Sequence, residues 1–140
     1  MKIIRFLNEQ GASQYGAQHD DGSVTRIEGC IFGDHSDTGE AVTVKKLLAP
    51  LKPVAVLCIG LNYRKHAEEG GADIPEHPVL FMKMPSTVQN PGDPILLPTK
   101  LKSDSVDYEC ELAVVIGRAA RFVDPAEGLD YVAGYTVILD

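Results

Sequence analysis

A short acidic segment holds the residues of this chain that are best suited to bind a metal ion. Asp107, Glu109 and Glu111 alternate with other residues, and in a β-strand residues two apart point to the same face. Glutamates at this spacing lie about 7 Å apart at the backbone, a separation that their side chains can close around one cation. The opposite face is expected to pack in a core and would carry Val106, Tyr108, Cys110, Leu112, Val114 and Ile116.

The same spacing is also typical of a solvated sheet face, because exposed acidic residues are the default on protein surfaces. Two features favour a site: no basic residue separates the acids, and the small apolar Ala113 and Val115 continue their face. Since every candidate donor is an oxygen, the pattern favours Mg²⁺, with Mn²⁺ or Ca²⁺ as substitutes, over zinc. Asp140 ends a later predicted strand and is a candidate third ligand, although by itself it is only a strand-end acid.

A histidine and two charged residues are candidates for catalysis or substrate binding. His66 and Glu69 are three residues apart on a predicted short helix and therefore share a face. Glu69 could orient the imidazole and make His66 a general base for water, although such a pair is also common on exposed helices. Lys83 lies between Met82 and Met84 in an apolar strand. It is either an edge-strand charge that discourages aggregation or a cation that faces substrate or an acidic site.

The first fifty residues read as a small β-domain. Residues 2–7 form a predicted strand, and Asp21-Gly22 between the runs 13–18 and 23–28 is the signal of a two-residue hairpin turn. Thr43 is expected to cap a short helix over 44–49, which Pro50 and Pro53 would end. We therefore place a domain boundary near residue 52, with domains at 1–52 and 53–140.

The second domain must position the candidate residues. Its first strand is the apolar run 54–59, expected to be buried on both faces, followed by a turn at Gly60 and a helix over 63–69 capped by Asn62. Asp124-Pro125 is typical of a helix start, and that helix is expected to reach Tyr131 and to end by Gly134. The remaining predicted strands are 78–84, 95–97, 106–116 and 135–139. Because the last of them breaks off at Asp140 without a turn signal, we expect the natural polypeptide to continue.

Composition limits the classes of partner. The net charge is -7 with no basic cluster, so nucleic acid is not expected as a partner. Arg5 interrupts the short apolar N-terminus, and no later segment is long and apolar enough for a membrane span, so a cytoplasmic protein without membrane contact is expected. The three cysteines, Cys30, Cys58 and Cys110, form no C-x-x-C pair and are expected to be reduced, packed thiols. Serine-hydrolase and phosphate-binding glycine motifs are absent.

Five ordered segments carry a resemblance to a known family. They are CIGLNYRKH (58–66), PVLFMKMP (78–85), PGDPI (91–95), VDYECELAVVIG (106–117) and LDYVAGYT (129–136). In this order and at these spacings they resemble the fumarylacetoacetate hydrolase superfamily, and the resemblance covers residues 54–140. Residues 1–52 are similar to the variable N-terminal β-domain of many members, without a diagnostic motif.

The resemblance implies a mainly β, α+β fold, in which a small N-terminal β-domain precedes a mixed β-roll that is incomplete in this chain. It implies that Glu109, Glu111 and Asp140 bind Mg²⁺ or Mn²⁺, that His66 and Glu69 activate water, and that the protein is a homodimer. Leu139 stands where many members have Asn, which affects the surroundings of the metal ligands. Lys83 is the candidate substrate contact.

The implied activity is hydrolysis of a C–C bond in a small 1,3-diketo or 2-oxo acid, such as an acylpyruvate or fumarylpyruvate, through a metal-stabilised enolate. Decarboxylation or isomerisation of a 2-oxo acid would use the same enolate and is the alternative among enzymes. A non-catalytic metal-binding fragment is the alternative from another class.

Overall fold

A five-stranded antiparallel sheet forms the N-terminal part of the molecule. The computed structural model describes all 140 residues. The strands lie in the order β4-β3-β2-β1-β5. Their bounds are β1 Lys2–Leu7, β2 Ser13–Gln18, β3 Val24–Gly29, β4 His35–Ala41 and β5 Lys46–Leu48.

The predicted hairpin between β2 and β3 is present, but residues 19–23 connect its strands, so the connection is longer than the predicted two-residue turn. Gly22 has a φ of 84°, a left-handed conformation that glycine adopts without steric cost. The backbone N–H of Ser23 donates to the Asp21 side chain at 2.9 Å, and that of His19 donates to the Ser23 carbonyl at 2.9 Å. The turn therefore draws on its own side chains, which is why a short sequence signal was enough to predict it.

Alternation along β1 gives the sheet two covered faces. Ile4 and Phe6 point to one face and form a core with Val24, and Phe6 is completely buried. Val42 and Val44 pack against this core from the edge of the sheet. Arg5 points to the other face and is buried as well.

The expected helix at 44–49 is wrong, because this segment contains strand β5. It pairs antiparallel with β1, with Leu48 opposite Arg5 and Lys46 opposite Leu7. Three residues of strand pairing bury Leu48, which the helical alternative would leave without this partner. Tertiary pairing here overrides the local capping signal. Strand β4, which the sequence analysis did not predict, pairs with β3 through an irregularity between Thr25 and Ile27.

Two hairpins and three short helical segments make up the remainder. β6 (Val56–Gly60) pairs antiparallel with β7 (Val79–Lys83), and helix α1 (Arg64–Glu69) lies between them in the chain. β8 (Cys110–Ile116) pairs antiparallel with β9 (Val132–Leu139). Two 3₁₀ helices span Pro85–Thr87 and Pro125–Tyr131, and the Asp124 side chain accepts from the Ala126 N–H as the predicted cap. The mainly β, α+β fold class is confirmed.

Several predicted bounds in this part need correction. Tyr63, not Asn62, precedes α1, and no side chain caps that helix. The expected strand at 95–97 is absent, because those residues pair with no other strand and stay exposed. Gly134 lies inside β9 instead of ending a helix, since the helical segment stops at Tyr131 and pairing with β8 begins at once. The strand expected from 106 is assigned from Cys110, and the boundary at residue 52 stays a prediction, between β5 and β6.

One apolar face of each hairpin is exposed, contrary to the expectations that the run 54–59 is buried on both faces and that the apolar face of 106–116 packs in a core. Leu57 and Met82 are opposite each other on β6 and β7 and are 62% and 70% exposed. Leu112 and Val137 are opposite on β8 and β9 and are 58% and 71% exposed. The alternation in 106–116 is as predicted, but nothing in this chain covers these faces. The prediction of packed cysteines is wrong for Cys110 on β8 and for Cys30, which are both exposed. No helix of the structure is long and apolar enough to cross a membrane.

Candidate metal and active site

A closed backbone ring joins two of the predicted metal ligands. The Glu109 N–H donates to the Asp140 carbonyl at 2.8 Å, and the Asp140 N–H donates to the Glu109 carbonyl at 2.7 Å. This reciprocal pattern defines a directly opposed pair in an antiparallel ladder, with Cα atoms about 5.5 Å apart and both side chains on one face. The ring extends the β8–β9 pairing by one residue on each strand.

Glu111 shares that face. It lies two residues beyond Glu109 and opposite Ile138, so it is diagonal to Asp140 across the hairpin. Asp107, the first acid of the alternating segment, uses its carboxylate to accept from the Tyr108 N–H at 2.8 Å. The hairpin therefore presents Glu109, Glu111 and Asp140 together, on the face opposite to Leu112 and Val114.

Lys83 links the two hairpins at this point. It is the last residue of β7, and its Nζ donates to Oδ1 of Asp140 in an ion pair that is partly buried. This hydrogen bond is the main reason that the pKa of Lys83 is raised, with smaller contributions from the charges of Asp140, Cys58 and Glu109. Lys83 therefore stays protonated and offsets part of the negative charge of the carboxylate face.

His66 reaches the same face from helix α1. Its Nε2 lies 4.0 Å from Oε1 of Glu109, and both side chains are about half exposed. No hydrogen bond joins His66 to Glu69, so the carboxylate that it approaches in this structure is Glu109. The structure thus brings His66, Lys83, Glu109 and Asp140 to one region. The partnership of His66 with Glu69 remains a prediction from the sequence.

The donor chemistry fits a hard divalent cation. The three carboxylates of the shared face offer only oxygens, and Cys110 lies opposite Leu139 on the other face. No group of three or more histidine, cysteine, aspartate or glutamate side chains converges closely enough in the structure to hold an ion. The backbone register therefore supports the ligand set, while closure of the side chains around a metal ion remains a prediction.

Sequence reasoning missed the partner of Lys83. The expected roles were an edge-strand charge, or a cation that faces substrate or an acidic site, and the structure shows a direct contact with Asp140. The signal was a charged residue between two methionines at a strand end, but the spacing of 57 residues to Asp140 could not be bridged by local pattern. A role in substrate binding stays a prediction.

In comparisons with known proteins, two family models match the chain, one over each part. The family model described as "Fumarylacetoacetate (FAA) hydrolase C-terminal" matches residues 55–140, and one described as "Rv2993c-like, N-terminal" matches residues 1–57. A fumarylacetoacetate hydrolase domain-containing protein 2 homolog from Dictyostelium discoideum is 48% identical over 92 residues, which are 66% of this chain and 30% of that protein. The mitochondrial oxaloacetate tautomerase fahd2 of Xenopus laevis is 41% identical over 95 residues, covering 67% of this chain and 29% of the relative.

A solved structure is similar over the whole chain. It is the 5-carboxymethyl-2-hydroxymuconate delta-isomerase from Mycobacterium smegmatis, with a TM-score of 0.83 and 32% identity. The match covers 100% of this chain and 54% of that one. The chain therefore spans about half the length of this solved relative, and less than a third of each of the two sequence relatives.

Proposed function

Since the chain belongs to the fumarylacetoacetate hydrolase family, we propose that it supplies the metal ligands and the general base of an enzyme acting on small 2-oxo or 1,3-diketo acids. Members of this superfamily are enzymes that hydrolyse, isomerise or tautomerise their substrates and generally depend on a divalent metal. The observation that carries the proposal is the backbone ring between Glu109 and Asp140, which sets two carboxylates on one face with Glu111.

Three carboxylates on one face would hold Mg²⁺, with Mn²⁺ as the substitute, and Ca²⁺ is a weaker fit because it prefers more ligands. The bound cation would supply Lewis-acid stabilisation of negative charge on the 2-oxo oxygen of the substrate. Repulsion between Glu109, Glu111 and Asp140 favours cation binding, and the single positive charge of Lys83 offsets only part of it.

His66 would move the proton. Its Nε2 is directed toward the carboxylate face, 4.0 Å from Glu109, so a water or substrate carbon held there lies within reach of the imidazole. Glu69, one helical turn along α1, would orient the ring once substrate closes the site. Lys83 donates one hydrogen atom of its ammonium group to Asp140. It would bind a substrate carboxylate through one of the remaining hydrogen atoms.

Our leading reaction is hydrolysis of the C–C bond of an acylpyruvate-like or fumarylpyruvate-like acid. Water activated by His66 would add to the distal carbonyl, and the electron pair of the breaking bond would pass to the 2-oxo acid fragment. Tautomerisation or isomerisation needs only the proton transfer at His66, and decarboxylation needs neither water nor a distal carbonyl. The isomerising alternative is favoured by the similarity to the Xenopus oxaloacetate tautomerase and to the Mycobacterium delta-isomerase.

The test is a metal-dependence and product assay of the full-length protein. Stripped protein is supplied with Mg²⁺, Mn²⁺ or Ca²⁺ and given an acylpyruvate or oxaloacetate, beside a protein-free control for each metal. Pyruvate formed with a free carboxylic acid identifies the hydrolase, carbon dioxide the decarboxylase, and enol–keto exchange without either product the tautomerase. Equal turnover in stripped and metal-supplied protein would contradict the proposal.

A further inference from the structure

Arg5 is a buried cation without a partner. The residue is only 7% exposed, and its Nε and Nη1 are closed to solvent and make no hydrogen bond. It lies in the middle of β1, with Tyr15 opposite on one side and Leu48 on the other. No carboxylate lies within ion-pair distance of its guanidinium.

Such an arrangement is unfavourable as it stands. A guanidinium stays protonated at every pH a folded protein meets, so burial cannot be relieved by loss of the proton. Taking the charge out of water is offset only when an anion and hydrogen bonds replace the lost hydration. A buried arginine fork without an acceptor therefore points to an anion that binds next to it.

An open cleft lies next to Arg5. It has a volume of about 610 Å³ and is bordered by the N-terminal sheet on one side and by the segment from Pro85 to Asn90 on the other. This volume falls in the range of small-molecule sites. The lining includes a second cation, Lys52, which is exposed at the rim and forms no ion pair. No aspartate or glutamate lines the cleft, although the chain carries a net charge of -7.

We propose that this cleft binds a small free dicarboxylate, with Arg5 on one carboxylate and Lys52 on the other. A planar carboxylate matches the arginine fork in two parallel hydrogen bonds. Rotation of the guanidinium toward the cleft would let Nε and Nη2, or Nη1 and Nη2, donate these two bonds, so that one of the two unpaired donors gains a partner. The exposed ammonium of Lys52 would meet the second charge. The site is separate in residues and opposite in charge from the carboxylate face of β8 and β9, so it is a second ligand site.

The experiment titrates malonate into the full-length protein after metal removal, so that the dicarboxylate cannot bind through a metal ion. Binding is followed by calorimetry and by the melting temperature, with sodium chloride at equal ionic strength as the salt control. Arg5→Met and Lys52→Met are compared with Arg121→Met, which removes an exposed arginine that makes no ion pair. Because Lys52 is exposed, its variant reports on the site even if Arg5→Met folds poorly.

The expected result is that malonate binds and raises the melting temperature of the wild type and of Arg121→Met. Arg5→Met should weaken binding on the order of 10–100-fold, and Lys52→Met should weaken it less, because an exposed cation contributes less than a buried fork. Two results would overturn the proposal. If malonate has no effect and Arg5→Met is strongly destabilised, Arg5 contributes to stability and does not bind a free dicarboxylate. If malonate has no effect and Arg5→Met is as stable as the wild type, Arg5 needs no anion.

Discussion

The three carboxylates of the candidate metal site differ in what holds them. Asp140 is paired with Lys83, and Glu109 has His66 at 4.0 Å. Glu111 forms neither an ion pair nor a side-chain hydrogen bond in the structure. Its charge therefore acts in the metal-free protein mainly through repulsion of its neighbours.

Because of this difference, substitutions of Glu111 and Asp140 should have similar effects on Mg²⁺ binding but opposite effects on stability. Glu111→Gln should weaken Mg²⁺ binding at least on the order of 10–100-fold, while the melting temperature of the metal-free protein stays the same or rises, because a like charge is removed. Asp140→Asn should weaken Mg²⁺ binding as well but lower the melting temperature, since it breaks the ion pair with Lys83. Calorimetric titration and thermal unfolding of the full-length variants measure both effects. Unchanged Mg²⁺ affinity in Glu111→Gln would remove that residue from the ligand set.

His66 is expected to act on the reaction and not on the metal ion. His66→Ala in the full-length enzyme should lower the turnover rate roughly 10²- to 10⁴-fold, the usual contribution of a general acid or base. Mg²⁺ affinity should stay nearly unchanged. His77→Ala is the matched control, because His77 is exposed and forms no ion pair. Loss of metal binding in His66→Ala would instead make the imidazole a ligand or a structural residue.

At the scale of elements, the sequence analysis predicted the features that depend only on residues close together in the chain. The strand at 2–7 and the presence of a turn at Asp21-Gly22 were predicted correctly, because each depends on neighbouring residues. β5 was read as a helix because its partner, β1, lies about forty residues earlier. β4 has almost no apolar pattern and is instead held by backbone pairing and by the ion pair of Arg26 on β3 with Glu40 on β4.

The candidate site divides in the same way. Spacing by two placed Glu109 and Glu111 on one face, as the hairpin register shows. The pairing of Glu109 with Asp140 joins positions 31 residues apart and followed only from the family resemblance. The contact of Lys83 with Asp140 depends on how the two hairpins approach each other. The residue pattern within one strand carries no information about that approach.

Close approach of β2 and β3 requires glycine at position 16. A Cβ atom there would lie 2.5 Å from Cγ1 of Val24, 3.0 Å from the Thr25 carbonyl and 3.1 Å from the Phe6 ring. Gly16→Ala should therefore destabilise the fold by about 1–3 kcal/mol, the usual effect of overpacking. Gly128→Ala is the control, since a Cβ atom at that position meets nothing within 4 Å. Denaturant unfolding gives the free energy of unfolding of each variant. Equal values would contradict the prediction, because they would show that β3 can shift to accommodate the Cβ atom without loss of stability.

At the scale of the whole molecule, a small polar cluster fastens the N-terminal sheet to the second part of the chain. Lys46 on β5 forms an ion pair with Asp93 at 2.7 Å. Asn90 accepts from the Ala49 N–H at 3.1 Å and donates to Asp93 at 2.8 Å. The PGDPI segment of the sequence thus has a structural role at the junction.

This cluster should give stability that depends on pH. Hydrogen bonds from Lys46 and then Asn90 lower the pKa of Asp93 below its ordinary value of 3.8. A lowered carboxyl pKa adds stability that is present above the unfolded value and is lost as the pH falls through the folded one. The difference in unfolding free energy between wild type and Asp93→Asn should therefore be constant near neutral pH and shrink below about pH 4. Asp104→Asn, at an exposed residue without an ion pair, is the matched control.

The exposed faces of the two hairpins limit what residues 1–140 can do alone. Only 10 of 140 residues are buried, and the large apolar residues of both hairpins remain uncovered. Each uncovered large apolar side chain loses on the order of 1.5–3 kcal/mol of burial free energy. A few such side chains therefore equal the roughly 5–15 kcal/mol stability of an ordinary domain. The isolated segment should bind a hydrophobic dye, associate, and show no catalytic activity. A monomer that unfolds cooperatively and turns over an acylpyruvate would contradict this.

Because the ring pairs Glu109 with Asp140, the three carboxylates share one face only when β8 and β9 pair in the native register. A slip of one residue between the two strands would turn Asp140 to the other face while Glu109 and Glu111 stayed in place. Misregistered hairpins would then offer only two carboxylates, and a cation would discriminate against them. Metal present during refolding should thus raise the fraction of hairpins in the native register. Metal binding would then select the correct strand pairing before any catalysis takes place.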